Sequence, residues 1–355
     1  MSSTTSTAPF SKAVVASMRR LYPEDLAEKA WDNTGLLLEA PFDPSRRQRN
    51  SVLLTVDLTK AVTDEAIERK ASIIIAYHPI IFRGLKSITL ANSQQQSLLR
   101  LAAAGISACP SQISPIPGLG DWLADIITGQ TPPNPSHSQP TPSTKPTDDP
   151  FTQKRPTFQL QHYPSASQVN TALNLGVTKH TRAPIKPVDF PDRPGAGMGR
   201  IVRFAEAQPL AALIERVAAG VGNPKGFPIA IPQGKAVDEI SVKSVGICAG
   251  SGGSLFAGLS GVDMLFTGEL SHHEALAAIE SGQSVVTLFH SNTERGFLHG
   301  VLRAQLLETV KEEWEKIRKE ETGGDEEAMS DETVEVEVSE RDRDPFGILV
   351  NEAWQ

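Results

Sequence analysis

The stretch SVVTLFHSNTERGFLHG, residues 284–300, ends an apolar run on a histidine, His290, and sets a glutamate, Glu294, four residues later. Positions i and i+4 share one face of a helix, so an imidazole and a carboxylate there can reach the same metal ion. The same letters also fit a purely structural pattern. Ser291-Asn292-Thr293-Glu294 is an S-x-x-E capping box, with Ser291 as N-cap and Glu294 reaching back to its N–H. One glutamate does one of these jobs, and the stretch by itself leaves both open.

Three further apolar runs stop on residues able to do chemistry. SVLLTVDLT (51–59) stops at Asp57 and ASIIIAYHPIIF (71–82) at Tyr77-His78-Pro79. VDMLFTGELSHHEA (262–275) stops at Gly268-Glu269, with His272 and His273 just beyond. Continuous β-branched runs of this kind predict strands buried on both faces, as in a parallel sheet. Helical patterns follow the four runs over 61–70, 93–104, 273–281 and 296–318. Strand and helix in alternation predict an α/β fold, a layered α/β/α core built from N- and C-terminal halves. In such sheets ligands gather outside the carboxyl ends of the strands, where these polar residues fall.

The intervening chain divides by composition. After a leader over 1–10, expected to be disordered, the first half of the core spans 11–128. A Pro/Ser/Thr-rich insertion, 129–155, has no apolar period and is also expected to be disordered. Residues 156–240 predict a smaller α+β insert, with strands at GRIVRF (199–204) and FPIAI (227–231) and a helix at PLAALIERVAAGVG (209–222). The second half of the core covers 241–318, followed by an acidic linker, 319–332, and a terminal strand and tail, 333–355. There TVEVEVSE (333–340) alternates valine with glutamate, as a half-exposed edge strand does.

At 355 residues, 39% hydrophobic and 21% charged, the chain has an ordinary globular composition. Its net charge of −8 is uneven: residues 312–340 hold 13 Asp and Glu against 3 Lys and Arg. No basic stripe with interleaved aromatics points to nucleic acid, and no apolar run approaches a membrane span. The two cysteines, Cys109 and Cys248, make neither a C-x-x-C pair nor a disulfide framework, which predicts a reducing, cytoplasmic setting and no thiolate zinc site. The first twenty residues are Ser/Thr-rich, lack acids and carry Lys12, Arg19 and Arg20, so a mitochondrial address is the alternative. Of three glycine-rich patches, GAGMGR (195–200) lacks the dinucleotide spacing and GNPKG (222–226) reads as a turn. CAGSGGSLF (248–256) reads equally as an anion cradle or a tight strand-to-helix turn.

AEKAWDNTGLLLE (27–39), AYHPIIFRGLKSIT (76–89), GAGMGRIVRF (195–204), LFTGELSHHEALAA (265–278), FHSNTERGFL (289–298) and SERDRDPFG (339–347) together resemble the NIF-three-like family, the Ngg-interacting factor three proteins also labelled GTP cyclohydrolase I type 2-like. The resemblance spans most of the chain outside 129–180. It implies an α/β core of two halves, homo-oligomers and a pair of divalent metals at strand ends. Carried over position by position, it implies His78, His290 and Glu294 as metal ligands, with Tyr77 standing where bacterial-type members have a further histidine. The family's His-Thr-x-x-Asp stretch is missing. Between Ile106 and Trp122 the alignable positions are Cys109 or Ser111, then Ile113 or Pro115.

Two histidines and a carboxylate suit zinc, iron or manganese, one or two ions per chain, with a position open for water or substrate. Asp57 and His273, at or just past strand ends, are candidate groups for orienting a ligand or moving a proton. Each residue has a structural alternative. Asp57 can cap the next helix, His273 can be an ordinary helix residue, and His78 a core histidine in a turn before Pro79. Two functions follow: a metal-dependent hydrolase of a small, nucleotide-like substrate, or a non-catalytic metal-binding regulatory protein with a protein partner.

Overall fold

The structure is a computed structural model that describes residues 6–26, 33–110, 118–130, 158–161, 177–190, 193–320 and 325–351. In chain order the helices are α1 Pro9–Leu21, α2 Lys60–Arg69, α3 Ser93–Ala104, α4 Leu119–Thr128, α5 Leu210–Gly220, α6 Gly253–Phe256, α7 His272–Glu280, α8 Asn292–Phe297, α9 Arg303–Glu320 and α10 Glu326–Ser330. The strands of the first half are β1 Arg49–Thr55, β2 Ala71–Ala76 and β3 Ser107–Pro110, followed by β4 Phe158–Gln161. Next come β5 His180–Ala183, β6 Lys186–Pro187, β7 Gly197–Met198, β8 Arg200–Pro209 and β9 Ile229–Ala230. The last are β10 Ser241–Ser251, β11 Met264–Glu269, β12 Ser284–Thr287, β13 Glu335–Val338 and β14 Ile348–Asn351. No described helix is long and apolar enough to cross a membrane.

The α/β architecture expected from the alternating runs is present, built on two sheets. One has four parallel strands in the order β13-β1-β2-β3, and the other six in the order β5-β8-β10-β11-β12-β9. Side-chain alternation divides the core. Val52, Leu54, Ile73 and Ile75 of the first sheet and Val245, Ile247, Phe266 and Val286 of the second point into one shared cluster. Helices α1, α4, α5, α8 and α9 contribute to that same cluster. The opposite faces are covered separately, Leu53 and Ile74 by α2 and α3, Leu265 and Val285 by α6 and α7. Strands buried on both faces leave no polar side, which is why they read as unbroken apolar runs.

Several expected boundaries move. Helix α1 begins at Pro9, and Phe10 is 3% exposed, so the core starts inside the span expected to be a leader. The strands expected for a smaller insert join the second sheet: β8 pairs antiparallel with β10, and β9 with β12. Residues 131–157, most of the Pro/Ser/Thr-rich insertion, lie outside the described residues. The valine–glutamate stretch is an edge strand, with Val336 and Val338 buried and β13 lying parallel on β1. Both crossovers that matter for the site, β1-α2-β2 and β11-α7-β12, carry their carboxyl ends to the same place.

Candidate metal centre

Parallel register sets the distances at the strand ends. Beyond the Thr55–Ala76 pair of β1 and β2, the ladder continues through Tyr77 N–H to Thr55 O and His78 N–H to Val56 O. That places His78 beside Asp57. In the second half, Thr267 pairs with Thr287 and Leu288 N–H donates to Thr267 O, placing His290 near Glu269. The two units repeat one construction. His78 Nδ1 lies 2.9 Å from Asp57 Oδ1, and His290 Nδ1 lies 2.8 Å from Glu269 Oε1, with a sequence separation of 21 in both cases. An ionised carboxylate only accepts, so each Nδ1 carries the hydrogen and each Nε2 is the nitrogen left for another task.

Those nitrogens converge on Glu294. His78 Nε2 is 3.4 Å from Glu294 Oε2 and His290 Nε2 is 3.8 Å from Glu294 Oε1, while the two rings stand 5.1 Å apart, edge to face. Donors around a tetrahedral zinc with bonds near 2.0–2.1 Å would be about 3.3 Å apart, close to the spacing already present. The glutamate is 2% exposed, and its Oε2 has no hydrogen-bond partner among the described residues. A buried carboxylate oxygen left so is costly unless something binds it. Among the described residues, His78, His290 and Glu294 form the one group whose ligand atoms all lie within 4.8 Å of one another. These three side chains fit a divalent ion.

The local field has the same origin. Burial disfavours the His78 cation, but the hydrogen bond to Asp57 and the facing carboxylate of Glu294 outweigh it and push the imidazole up to about 10. Asp57 moves the other way. Burial raises it, yet its hydrogen bond to His78 and the nearby charges of His78 and Arg295 hold the carboxyl below its ordinary range.

Ser291 does not form the capping box. Its Oγ donates to Asp344 and receives Arg295, it makes no cap hydrogen bond, and Glu294 turns toward the histidines. The same S-x-x-E letters at Ser271–Glu274 do form a capping box, with Ser271 N–H on Glu274 Oε2 at 2.8 Å. Nor does Asp57 cap α2; Thr59 does, accepting from Val62 N–H. His273 is exposed at the start of α7, where its ring packs on His272, and no described contact joins it to the centre. Tyr77, half-buried, tilts its ring 5.1 Å from that of His78. Cys109 is buried, which pushes its thiol up to about 12 and leaves it protonated. Ser111, Ile113 and Pro115 lie outside the described residues. Glu269 is the site residue that sequence reasoning passed over.

The glycine-rich stretch at the end of β10 serves close approach. Gly252 N–H donates to Glu269 O, and the Glu274 carboxylate lies against Gly253, which disfavours an anion there. Gly250 has φ +64°, and a Cβ on it would sit 2.9 Å from both Glu294 Oε1 and His290 Nε2. Gly282, at φ +82°, has open space around it. Gly250→Ala and Gly282→Ala should therefore share a backbone cost of about 1–2 kcal/mol. Only Gly250→Ala should also lose metal, because its methyl group intrudes between two ligands. Metal content measured beside urea unfolding checks this, and equal retention of metal in the two variants would contradict it.

Residues 11–321 match the family model described as Duf34/NIF3 (NGG1p interacting factor 3). The chain is 37% identical over 306 residues to the protein NIF3 homolog of Schizosaccharomyces pombe, covering 85% of this chain and 90% of the relative. It is 30% identical over 302 residues to the NGG1-interacting factor 3 of Saccharomyces cerevisiae, covering 82% and 89%. Among solved structures, a Bacillus cereus protein related to NIF3 superposes with a TM-score of 0.59 at 19% identity, covering 97% of this chain and 99% of that one, a likeness of fold. With sequence and fold in agreement over most of its length, this chain belongs to the DUF34/NIF3 family.

Proposed function

We propose that this protein binds a divalent transition metal through His78, His290 and Glu294 and uses it to hydrolyse a small, nucleotide-like substrate. One observation carries the reading: the buried, unpartnered Glu294 Oε2 lies 3.4 Å from the Nε2 of a histidine whose other nitrogen is already held by Asp57. Zinc, iron and manganese all accept two imidazoles and a carboxylate. A bound ion would supply Lewis acidity toward a water or a substrate carbonyl or phosphoryl oxygen. The chain's own groups orient and exchange protons. Asp57 fixes the His78 ring and is a positioning group. Glu269 fixes His290, and at 49% side-chain exposure it stands at the solvent edge, where it can take up a proton. His290, 37% exposed, marks the side from which substrate enters.

The stoichiometry should be about one ion per chain. Two dications about 4 Å apart repel by roughly 16 kcal/mol at an effective dielectric near 20, four times a unit pair, and the aspartate of the family's His-Thr-x-x-Asp stretch is missing between Ile106 and Trp122. Metal analysis of wild type and His290→Ala, together with a screen of nucleotide and phosphoester substrates, tests both parts. Equal metal in the two proteins would refute the site, and two tightly held ions would refute the stoichiometry. The name of the Saccharomyces cerevisiae relative, an interacting factor, favours a second reading as a metal-bearing partner of another protein. Full metal content with no turnover in the screen would select it.

A further inference from the structure

We infer that the strap of residues 339–344, between β13 and β14, assembles the metal centre by holding ligand-bearing segments of the two halves in register. This rests on the metal reading above. Asp342, 6% exposed, accepts from Val56 N–H at 2.7 Å through Oδ2 and from Arg295 Nη2 at 3.0 Å through Oδ1. Asp344, 5% exposed, accepts from both the N–H and the Oγ–H of Ser291, at 3.0 and 2.8 Å. Each of these partners is the immediate neighbour of a centre residue. Val56 precedes Asp57, Ser291 follows His290, and Arg295 follows Glu294.

Two carboxylates on one short segment thus fix the end of β1 and the start of α8 together. The strap is itself anchored. Ser339 N–H extends the β13–β1 ladder to Leu54 O, Ser339 Oγ donates to the buried Glu65 of α2, and the N–H groups of Glu340 and Arg341 do the same. His78 comes from one sheet, and His290 and Glu294 from the other half. Their spacing depends on what spans the halves, and charge-assisted buried hydrogen bonds do so with defined geometry. Asp342 and Asp344 are positioning residues: they act on the ligands through the backbone beside them.

The test compares zinc affinity, by competition with a chelator, and the visible spectrum of the cobalt-substituted full chain. Asp342→Ala and Asp344→Ala should each weaken zinc by about 10- to 100-fold, as lost outer supports of metal ligands do, and should alter the cobalt bands. Asp344→Asn, which keeps an oxygen acceptor for Ser291 N–H, should restore most of the affinity. Asp121→Asn serves as the control for general destabilisation, because it breaks a buried pair with Arg200 in which neither residue has a described hydrogen bond to the strap or to a proposed ligand. At matched loss of melting temperature it should bind zinc as wild type does. If Asp342→Ala does not fold, Asp342→Asn and the two Asp344 variants decide the matter. Wild-type affinity and spectra in the strap variants, or an equal loss in Asp121→Asn, would overturn the inference. Absence of zinc binding in wild type would instead overturn the metal reading, and the strap's role with it.

Discussion

Glu294→Gln is expected to abolish the rise in melting temperature that metal confers on the wild-type protein. A ligand that binds only the folded state stabilises it by about 4 kcal/mol at a thousandfold excess over its dissociation constant. Glutamine keeps the size of the side chain and replaces an anionic oxygen donor with a neutral amide beside a dication, so affinity and stabilisation fall together. In metal-free protein the change should be small by comparison, because His78 keeps Asp57 as its partner at 2.9 Å and Ser291 keeps Asp344. No cap is lost either, since Glu294 makes none. Melts of both proteins, stripped with chelator and then reloaded with zinc, give the result directly. An undiminished metal shift in Glu294→Gln would return the residue to a packing role.

What the sequence could and could not reveal about this site follows from the range of the interactions that decide it. The apolar runs ending at Asp57, His78, Glu269 and His290 are local facts, and they foretold parallel strands with polar carboxyl ends. The two S-x-x-E stretches show the limit. Ser271–Glu274 closes into a capping box and Ser291–Glu294 does not, although the letters agree at both ends. Asp344, 53 residues downstream, takes Ser291 away from the cap, and no local pattern contains that partner. Asp57 shows the same limit at smaller scale: helix α2 has a better cap two residues on in Thr59, which frees the carboxylate for His78.

The choice of His273 over Glu269 has a different cause. Both lie near the end of the same run, and a histidine attracts notice where metal is suspected. Strand geometry favours the glutamate. It is the last residue of β11, whereas His273 already lies in α7 and faces solvent. A signal was present in the equal spacing of Asp57 to His78 and Glu269 to His290, 21 residues each. Two βαβ units with the same carboxylate-to-histidine spacing present equivalent strand ends, so a carboxylate in one points to a carboxylate in the other. The broken cap, the freed aspartate and the overlooked glutamate all concern partners supplied by the tertiary fold.

Metal affinity should rise about tenfold for each pH unit between pH 6 and 8. The metal requires the lone pair of His78 Nε2, and in the metal-free protein that imidazole is pushed up to about 10, so a proton must leave for the ion to enter. For the empty protein, a folded-state value above the ordinary 6.5 means that the protonated ring stabilises the fold fully below about 6.5, and that this contribution is lost as the pH rises through about 10. The loaded protein holds His78 neutral throughout and does not lose it. The separation between the two melting curves should therefore widen as pH rises, with loss of stability in the empty form and little change in the loaded one. Asp57→Asn provides the internal check. It removes one of the two carboxylates that raise His78, so the imidazole should titrate at lower pH and the slope of affinity against pH should flatten above that point. Calorimetric titrations in buffers of different ionisation enthalpy count the released proton independently, and about one is expected at pH 7. Zinc affinity that stays level from pH 6 to 8, with no proton released, would mean that His78 Nε2 does not face the metal and that the centre is built on other donors.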